Sequence, residues 1–440
     1  MDDFFKKIQD KLNEVTKPEY ILGAVKASGL FAVVKAKDKK RIEYFVRKKG
    51  YNINEYSPHG LTPFHEAVKT GSVSLVKFLI DLGADYNLPM KMPFPYDNPV
   101  HLAVTGNHPQ MIRFLRSLGF SVNTPSPRNQ WTPLDQAMQE NKPVIARALI
   151  EVGANPVTFN DQGRNPILTA VLFNKQDMVQ VLLDNPRAQI GFSSKFYQVK
   201  KQKTKPPFLT AIEKHYHEIV EMMLEKGFDV NQRDRENRTP LHHAIAVQDE
   251  QCIRLLLKHG ADINEAKDIY GNTPFHDLCR MQSNFKKDVF DQVFRSMVDY
   301  GGDIFQENRH GVTPLYHFVD GPHYTLEHLK YALYQGHHKY TPTAGVKKCF
   351  VEKMIAMQDE MSLIYLLDQK ILDVNTIYNE QGHSLLHLAA KSGQRNMVDV
   401  ILKYNPDQTV KDKQGKVAMD LLPKSTGFKK SFKKPPKRKF

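Results

Sequence analysis

Cysteine is scarce: Cys252, Cys279 and Cys349 are the only three in 440 residues. They form no CxxC pair, which excludes a disulfide framework and a structural zinc site and predicts reduced thiols in a cytosol-like compartment. Long apolar runs are absent too. No stretch approaches the roughly 20 residues a membrane-spanning helix requires. The opening MDDFFKKIQDK lacks the apolar core and small-residue cleavage site of a secretory signal, so export by the general route is not expected. Hydrolase, nucleotide-binding and zinc-protease signatures are likewise missing: there is no GxSxG, GxxxxGKS/T, GxGxxG or HExxH. Nothing in the sequence places a base beside any cysteine. No catalytic residue, cofactor or metal is expected.

What is present is a folded protein's composition, with 41% hydrophobic and 25% charged residues, enough apolar surface for a sizeable core. The net charge of +14 suggests nucleic acid until it is located. Residues 1–49 carry 13 basic and 7 acidic side chains, and residues 424–440 carry eight basic and no acidic ones. Between them basic and acidic residues balance, so the body of the chain is neutral and its ends are basic.

That body repeats. GLTPFHEAV (60–68) recurs as NPVHLAV, WTPLDQAM, RNPILTAV, KPPFLTAI, RTPLHHAI, NTPFHDLC, VTPLYHFV and HSLLHLAA. Its proline falls at 63, 99, 133, 166, 207, 240, 274 and 314, then as Leu385. The steps lie between 33 and 41 residues, and a final step of 71 is two periods. A second motif recurs as well, as LVKFLIDLGADYN (75–87), IRFLRSLGFSVN (112–123), IVEMMLEKGFDVN (219–231) and IRLLLKHGADIN (253–264). Elementary chemistry explains both. Thr239 caps a helix while Pro240 occupies the first helical position, where it loses no needed donor. Leu241, Ala244 and Ile245 share a face; Ile253, Leu255, Leu256 and Leu257 make a second helix apolar, and Gly260 ends it in the left-handed conformation. One such unit cannot bury its own faces, so stability must come from stacking.

The paired motifs resemble the ankyrin-repeat family over residues 30–422. The resemblance implies an all-α, curved solenoid of about eleven helix-turn-helix units with short turn tips. Units are expected near 30–54, 57–87, 94–123, 127–156, 160–185, 202–231, 234–264, 268–304, 308–337, 338–375 and 379–408, with a partial cap at 412–422. Residues 1–29 would form a helical cap, with Phe4, Phe5, Ile8, Leu12 and Val15 along one face, although a membrane-surface helix would look the same. Residues 423–440 would be a disordered basic tail. Two insertions stand out: 184–205 lengthens a loop between units, and 281–292 lengthens the link between two helices.

The resemblance also sorts the polar residues. His65, His101, His242, His276 and His387 share one repeat position, where ankyrins imply a structural hydrogen bond. His215 and His217, two apart near a helix start, would point to different sides of it. Recognition is expected at the turn tips and the exposed part of the first helix, which in ankyrin proteins together form the concave face. That set comprises Arg128, Trp131, Arg164, Lys205, Arg235, Arg238, Tyr270 and Arg309, with Leu61, Asn272, Val312 and His310 at equivalent places. Arg164, Lys205 and Arg238 suggest a basic strip for a protein partner with an acidic surface, against the competing reading of chance in a lysine- and arginine-rich chain. In the tail, Lys433, Lys434, Lys437, Arg438 and Lys439 resemble a nuclear-import signal, while a phosphate- or membrane-binding tail would be equally basic.

The expected function is a non-enzymatic protein-interaction scaffold, intracellular and placed in cytoplasm or nucleus. The long array without a catalytic module resembles effectors that intracellular bacteria inject into host cells; a eukaryotic scaffold reads the same way. The alternatives are an enzyme in the irregular 280–360 region and a nucleic-acid binder acting through the tail, although nucleic acid is not the expected partner.

Overall fold

The computed structural model describes residues 29–91, 98–127, 129–159, 163–192, 205–335 and 350–423. The N-terminal segment expected to form a cap, Arg128, the lysine-rich stretch 193–204 and the tail from 424 lie outside these residues. Among the described residues every regular element is a helix, and extended pairing is limited to two isolated bridges, Ile377 with Ser384 and Lys411 with Val417. The fold is all-α, as the repeat predicts.

The chain divides into two compact units, Met1–Pro207 and Phe208–Phe440. In the first, a helix over 29–35 is followed by Lys39–Glu43 and a single π turn at Tyr44–Lys48. Four helix pairs come next: Pro63–Lys69 with Val73–Asp81, Pro99–Thr105 with Pro109–Ser117, Pro133–Gln139 with Pro143–Glu151, and Pro166–Leu172 with Gln176–Leu183. In the second unit the pairs are Pro207–Glu213 with His217–Glu225, Pro240–Ala246 with Glu250–Lys258, and Pro274–Arg280 with Lys287–Asp299. Pro314–Phe318 with Leu326–Gln335, Phe350–Ala356 with Glu360–Asp368, and Leu385–Ser392 with Arg395–Leu402 complete it. The 3-10 turn Ala418–Leu421 packs on the last pair. Within each unit a helix touches its own partner and the equivalent helix of the next pair, the nearest-neighbour pattern of a stacked repeat.

Local chemistry starts each pair. Thr132, Thr273 and Thr313 accept the backbone N–H three residues on, with proline at the first helical position each time. The first helix is then buried almost all round: Pro240 to Ile245 are all buried. The second helix is one-sided. Cys252, Ile253, Leu256 and Leu257 are buried while Arg254 faces water. Left-handed residues end the helices, Gly260 at φ 82° being one.

Asparagine staples one pair to the next. The Asn264 side chain accepts the Asp303 N–H at 2.9 Å and donates to the Gly301 carbonyl at 2.8 Å. Asn231 does the same with Asp262 (2.8 Å) and Gly260 (3.3 Å), Asn123 with Asn155 (2.7 Å) and Gly153 (3.1 Å), and Asn54 with Asp85 (2.8 Å) and Gly83 (3.3 Å). These are the asparagines that close the second sequence motif.

The insertions are used differently from their sequence reading. Residues 281–292 do not all lengthen a link: after a 3-10 turn at Gln282–Asn284, the second helix extends backwards to 13 residues, Lys287–Asp299. This region packs on aromatics. Phe294 lies 4.9 Å from Phe318 and 5.4 Å from Phe275, centroid to centroid. Pro186–Gln189 and Ile190–Phe192 fold the start of the other insertion back on its own unit, burying Ala188 and Phe192.

Candidate protein-binding surface

The turn tips are built by one device. Asp234 Oδ1 accepts the N–H groups of Glu236 (2.8 Å) and Arg238 (2.9 Å), closing the loop on itself. Asp268 does this for Tyr270 and Asn272 (both 2.8 Å), and Asn308 for His310 (2.9 Å) and Val312 (3.0 Å). Asn379 and Asp412 repeat it. In each case an Asp or Asn stands five residues before the helix cap, a regularity visible in the sequence that the repeat comparison passed over. Adjacent tips are then joined through backbone. The Ile269 N–H donates to the Glu236 carbonyl at 3.1 Å, and the Arg309 N–H donates to the Tyr270 carbonyl at 3.2 Å. Arg309 Nη1 adds a bond to the Ile269 carbonyl at 2.8 Å.

On this platform Arg235, Tyr270, Arg309 and His310 are exposed, Tyr270 by 56%. Arg238 behaves differently. Its Nη2 lies 3.2 Å from Oδ2 of the buried Asp277, whose other oxygen takes Arg280 Nη2 at 2.7 Å. Only 24% of the Arg238 side chain is exposed, so its charge serves the joint between two pairs. In the first unit Trp131 is half-buried, and Arg164 and Lys205 are exposed. Leu61 and Val312, expected at the surface, are buried, because an apolar side chain beside a packed core gains by leaving water.

The shared histidines are structural. In three pairs of the second unit, the N–H of the cap residue donates to the ring Nδ1: Thr239 to His242 (3.1 Å), Thr273 to His276 (3.1 Å), Ser384 to His387 (3.3 Å). That leaves the ring proton on Nε2, which donates to a carbonyl of the next tip: Asn272 (3.3 Å), Val312 (2.9 Å) and Lys416 (3.2 Å) respectively. His65 makes the same cap with Thr62 at 3.2 Å, and His101 bonds Gln136 (2.9 Å) and the Thr124 carbonyl (3.2 Å). Burial lowers the pKa of His65 and His276 to about 4, and lowers those of His101 and His242. Asp135 replaces histidine at this position, bonding the Thr132 N–H at 2.9 Å, and burial raises it to about 6.

Other groups that could carry chemistry fall into two kinds. Cys252 and Cys279 are buried, and burial pushes both thiols upward, which makes them inert core residues. His243 is charged. Burial opposes its protonation, but bonds to Asp234 (2.8 Å) and Glu213 (3.2 Å) outweigh that and raise its pKa. The expected divergence of His215 and His217 is not found. His215 precedes the helix, in a left-handed turn at φ 58°, and both rings meet Asp249.

Family profiles described as "Ankyrin repeats (3 copies)" match residues 100–194, 187–267 and 208–287, and those described as "Ankyrin repeat" match 59–91 and 381–413. The chain belongs to the ankyrin-repeat family. It is similar to the mouse B-cell lymphoma 3 protein homolog, 28% identical over 239 residues, covering 53% of this chain and 50% of that protein. It is also similar to an ankyrin repeat protein of Acanthamoeba polyphaga mimivirus, 21% identical over 335 residues, covering 64% and 43%. The chain thus spans half or less of these relatives' length. The crystal structure of the human ASB11 ankyrin repeat domain aligns with a TM-score of 0.38 at 22% identity, covering 56% of this chain and 99% of that one. Among the described residues, no helix of this ankyrin protein is long and apolar enough to cross a membrane.

Proposed function

We propose that the chain is a non-enzymatic adaptor that binds a partner protein on its turn tips. The observation that carries this reading is the tip row of the second unit, where Arg235, Tyr270 and Arg309 are exposed on backbone already locked by cross-tip hydrogen bonds. Tyrosine and arginine supply a disproportionate share of interface energy, and a locked platform loses little freedom on binding. Arg235 and Arg309 favour an acidic partner surface, whereas Arg238 is occupied by Asp277. In the first unit Trp131, Arg164 and Lys205, with Arg128 outside the described residues, extend the proposed contact set. Lys433, Lys434, Lys437, Arg438 and Lys439 are proposed as a localisation element that a nuclear-import receptor would read, setting cytoplasm against nucleus. An effector of an intracellular bacterium fits a long array without catalytic motifs.

The test is affinity capture with the wild-type chain and an Arg235→Glu, Tyr270→Ala, Arg309→Glu variant. The variant is expected to melt near the wild-type temperature and to lose its principal protein partners. An unchanged set of captured proteins would put recognition elsewhere.

A further inference from the structure

We propose that His215, His217 and Asp249 form a binding site for one divalent transition-metal ion of the zinc class. The three ligand atoms already converge. His215 Nδ1 lies 2.7 Å from Asp249 Oδ2, and His217 Nε2 lies 2.8 Å from the same oxygen and 2.9 Å from Oδ1. All the candidate ligand atoms fall within 4.8 Å of one another. Zinc with nitrogen and oxygen ligands at roughly 2.0–2.1 Å needs them about half an ångström further apart than these hydrogen bonds hold them, a shift within reach of side-chain rotation.

The position of the cluster in the repeat separates it from an ordinary joint. At three other boundaries the residue just before the second helix is a donor that reaches back to the end of the preceding pair's first helix. His108 Nε2 bonds the Lys69 carbonyl at 3.0 Å, Lys142 Nζ bonds those of Val104 (2.9 Å) and Thr105 (2.8 Å), and Gln394 Nε2 bonds that of Ala356 (2.9 Å). Asp249 takes this place with the opposite polarity, as Asp359 does at a later joint. It has no proton to give, and two imidazoles come to it from the preceding pair instead.

Both the carboxylate and the turn look prepared. The Asp249 side chain is only 4% exposed, and its Oδ1 accepts the Cys252 N–H at 3.0 Å, which fixes its orientation as an outer-shell partner does for a metal ligand. His215 stands in a left-handed turn where equivalent positions use Gly71, Asn107, Asn141, Asn174, Gln248 and Gln358. The turn is what brings the His215 ring back over Asp249, while 51% of that side chain stays exposed, leaving a fourth coordination position open to water. Two imidazoles and one carboxylate select zinc, cobalt, nickel or copper over magnesium and calcium, which require oxygen ligands.

The test titrates Zn2+, and separately Mg2+, into metal-stripped full-length protein by calorimetry, with Co2+ absorption reporting coordination. The fold-preserving variants are His215→Asn, which installs the residue used at 107, 141 and 174, and Asp249→Asn, which retains a helix cap; His217→Gln completes the set. One equivalent of Zn2+ and no Mg2+ is expected to bind the wild type and raise its melting temperature. Each variant should weaken binding by at least the roughly 10- to 100-fold that loss of an outer-shell partner alone costs. If the wild type shows no saturable Zn2+ binding, the three groups are a hydrogen-bonded clasp and nothing more. If all three variants bind Zn2+ as the wild type does, other side chains hold the metal and the assignment is wrong.

Discussion

Leu256 and Arg238 differ in why their loss should matter. Leu256 is fully buried in the second helix of its pair, and Leu256→Ala should cost about 2–5 kcal/mol through the cavity it leaves. Arg238 occupies a position that the repeat leaves free, and from sequence it reads as recognition alone with little bearing on stability. The structure commits it to Asp277, which is 1% exposed. Arg238→Ala should therefore cost about 1–3 kcal/mol, the penalty for stripping a partner from a buried polar group. Denaturant melts check both values, and a double-mutant cycle with Asp277→Asn should show that the two sites are coupled. An Arg238 variant as stable as the wild type would mean that Arg280 alone satisfies Asp277. The ion pair was not legible in the sequence because its members stand 39 residues apart, and charge pairing at that range leaves no local pattern. Tyr270 and Arg309 were legible because the turn that exposes them is written in neighbouring residues.

Helix capping makes the pair the unit that responds to acid. His65 and His276 are neutral when buried, their pKa lowered to about 4 from the ordinary 6.5. The unfolded chain takes up protons first as pH falls, so the stabilisation they confer is present above about 6.5 and is lost between 6.5 and 4. Each loss approaches roughly 3 kcal/mol at the acid end. His243 has the opposite sign: its pKa is raised, so its contribution is present below 6.5 and lost as pH rises through the folded value. Asp135, raised to about 6, also gives stability that is lost as pH rises. With the capping histidines His65, His242 and His276 and the buried His101 all lowered, melting temperature should fall overall between pH 6.5 and 4. His276→Gln, which keeps a capping residue, should lessen that fall; an unaltered pH profile would show that His276 is not one of its sources. The Thr-Pro starts, the left-handed glycines and the helices they bound could be read directly from the repeat. Phe350–Ala356 could not be placed, because it lacks the Thr-Pro signature and is marked only by its buried Phe350, Val351, Met354 and Ile355. The His215 turn was misread for a related reason: a left-handed backbone was not expected at a histidine.

At the scale of the whole molecule, charge and fold are kept apart. The repeat body is balanced, and residues 424–440 hold eight basic side chains without an acid. If that segment acts by electrostatic attraction to phosphate, each contact adds nearly one unit to the log–log salt dependence of binding. An import receptor would instead read Lys437, Arg438 and Lys439 in place. Changing those three to alanine while adding three lysines elsewhere in the segment preserves the charge. Nuclear accumulation should vanish under that exchange, and its persistence would leave attraction alone as the mechanism. The asparagine staples carry a consequence for how such a chain can change over time. Asn231 faces Gly260 through the same two bonds by which Asn264 faces Gly301. Excising residues 232–264 from the gene would bring Asn231 to the joint that Asn264 now makes, already equipped for it. The array can thus shorten or duplicate by whole pairs without inventing an interface, while the His215, His217 and Asp249 cluster straddles two pairs and would not survive an excision on either side of its joint.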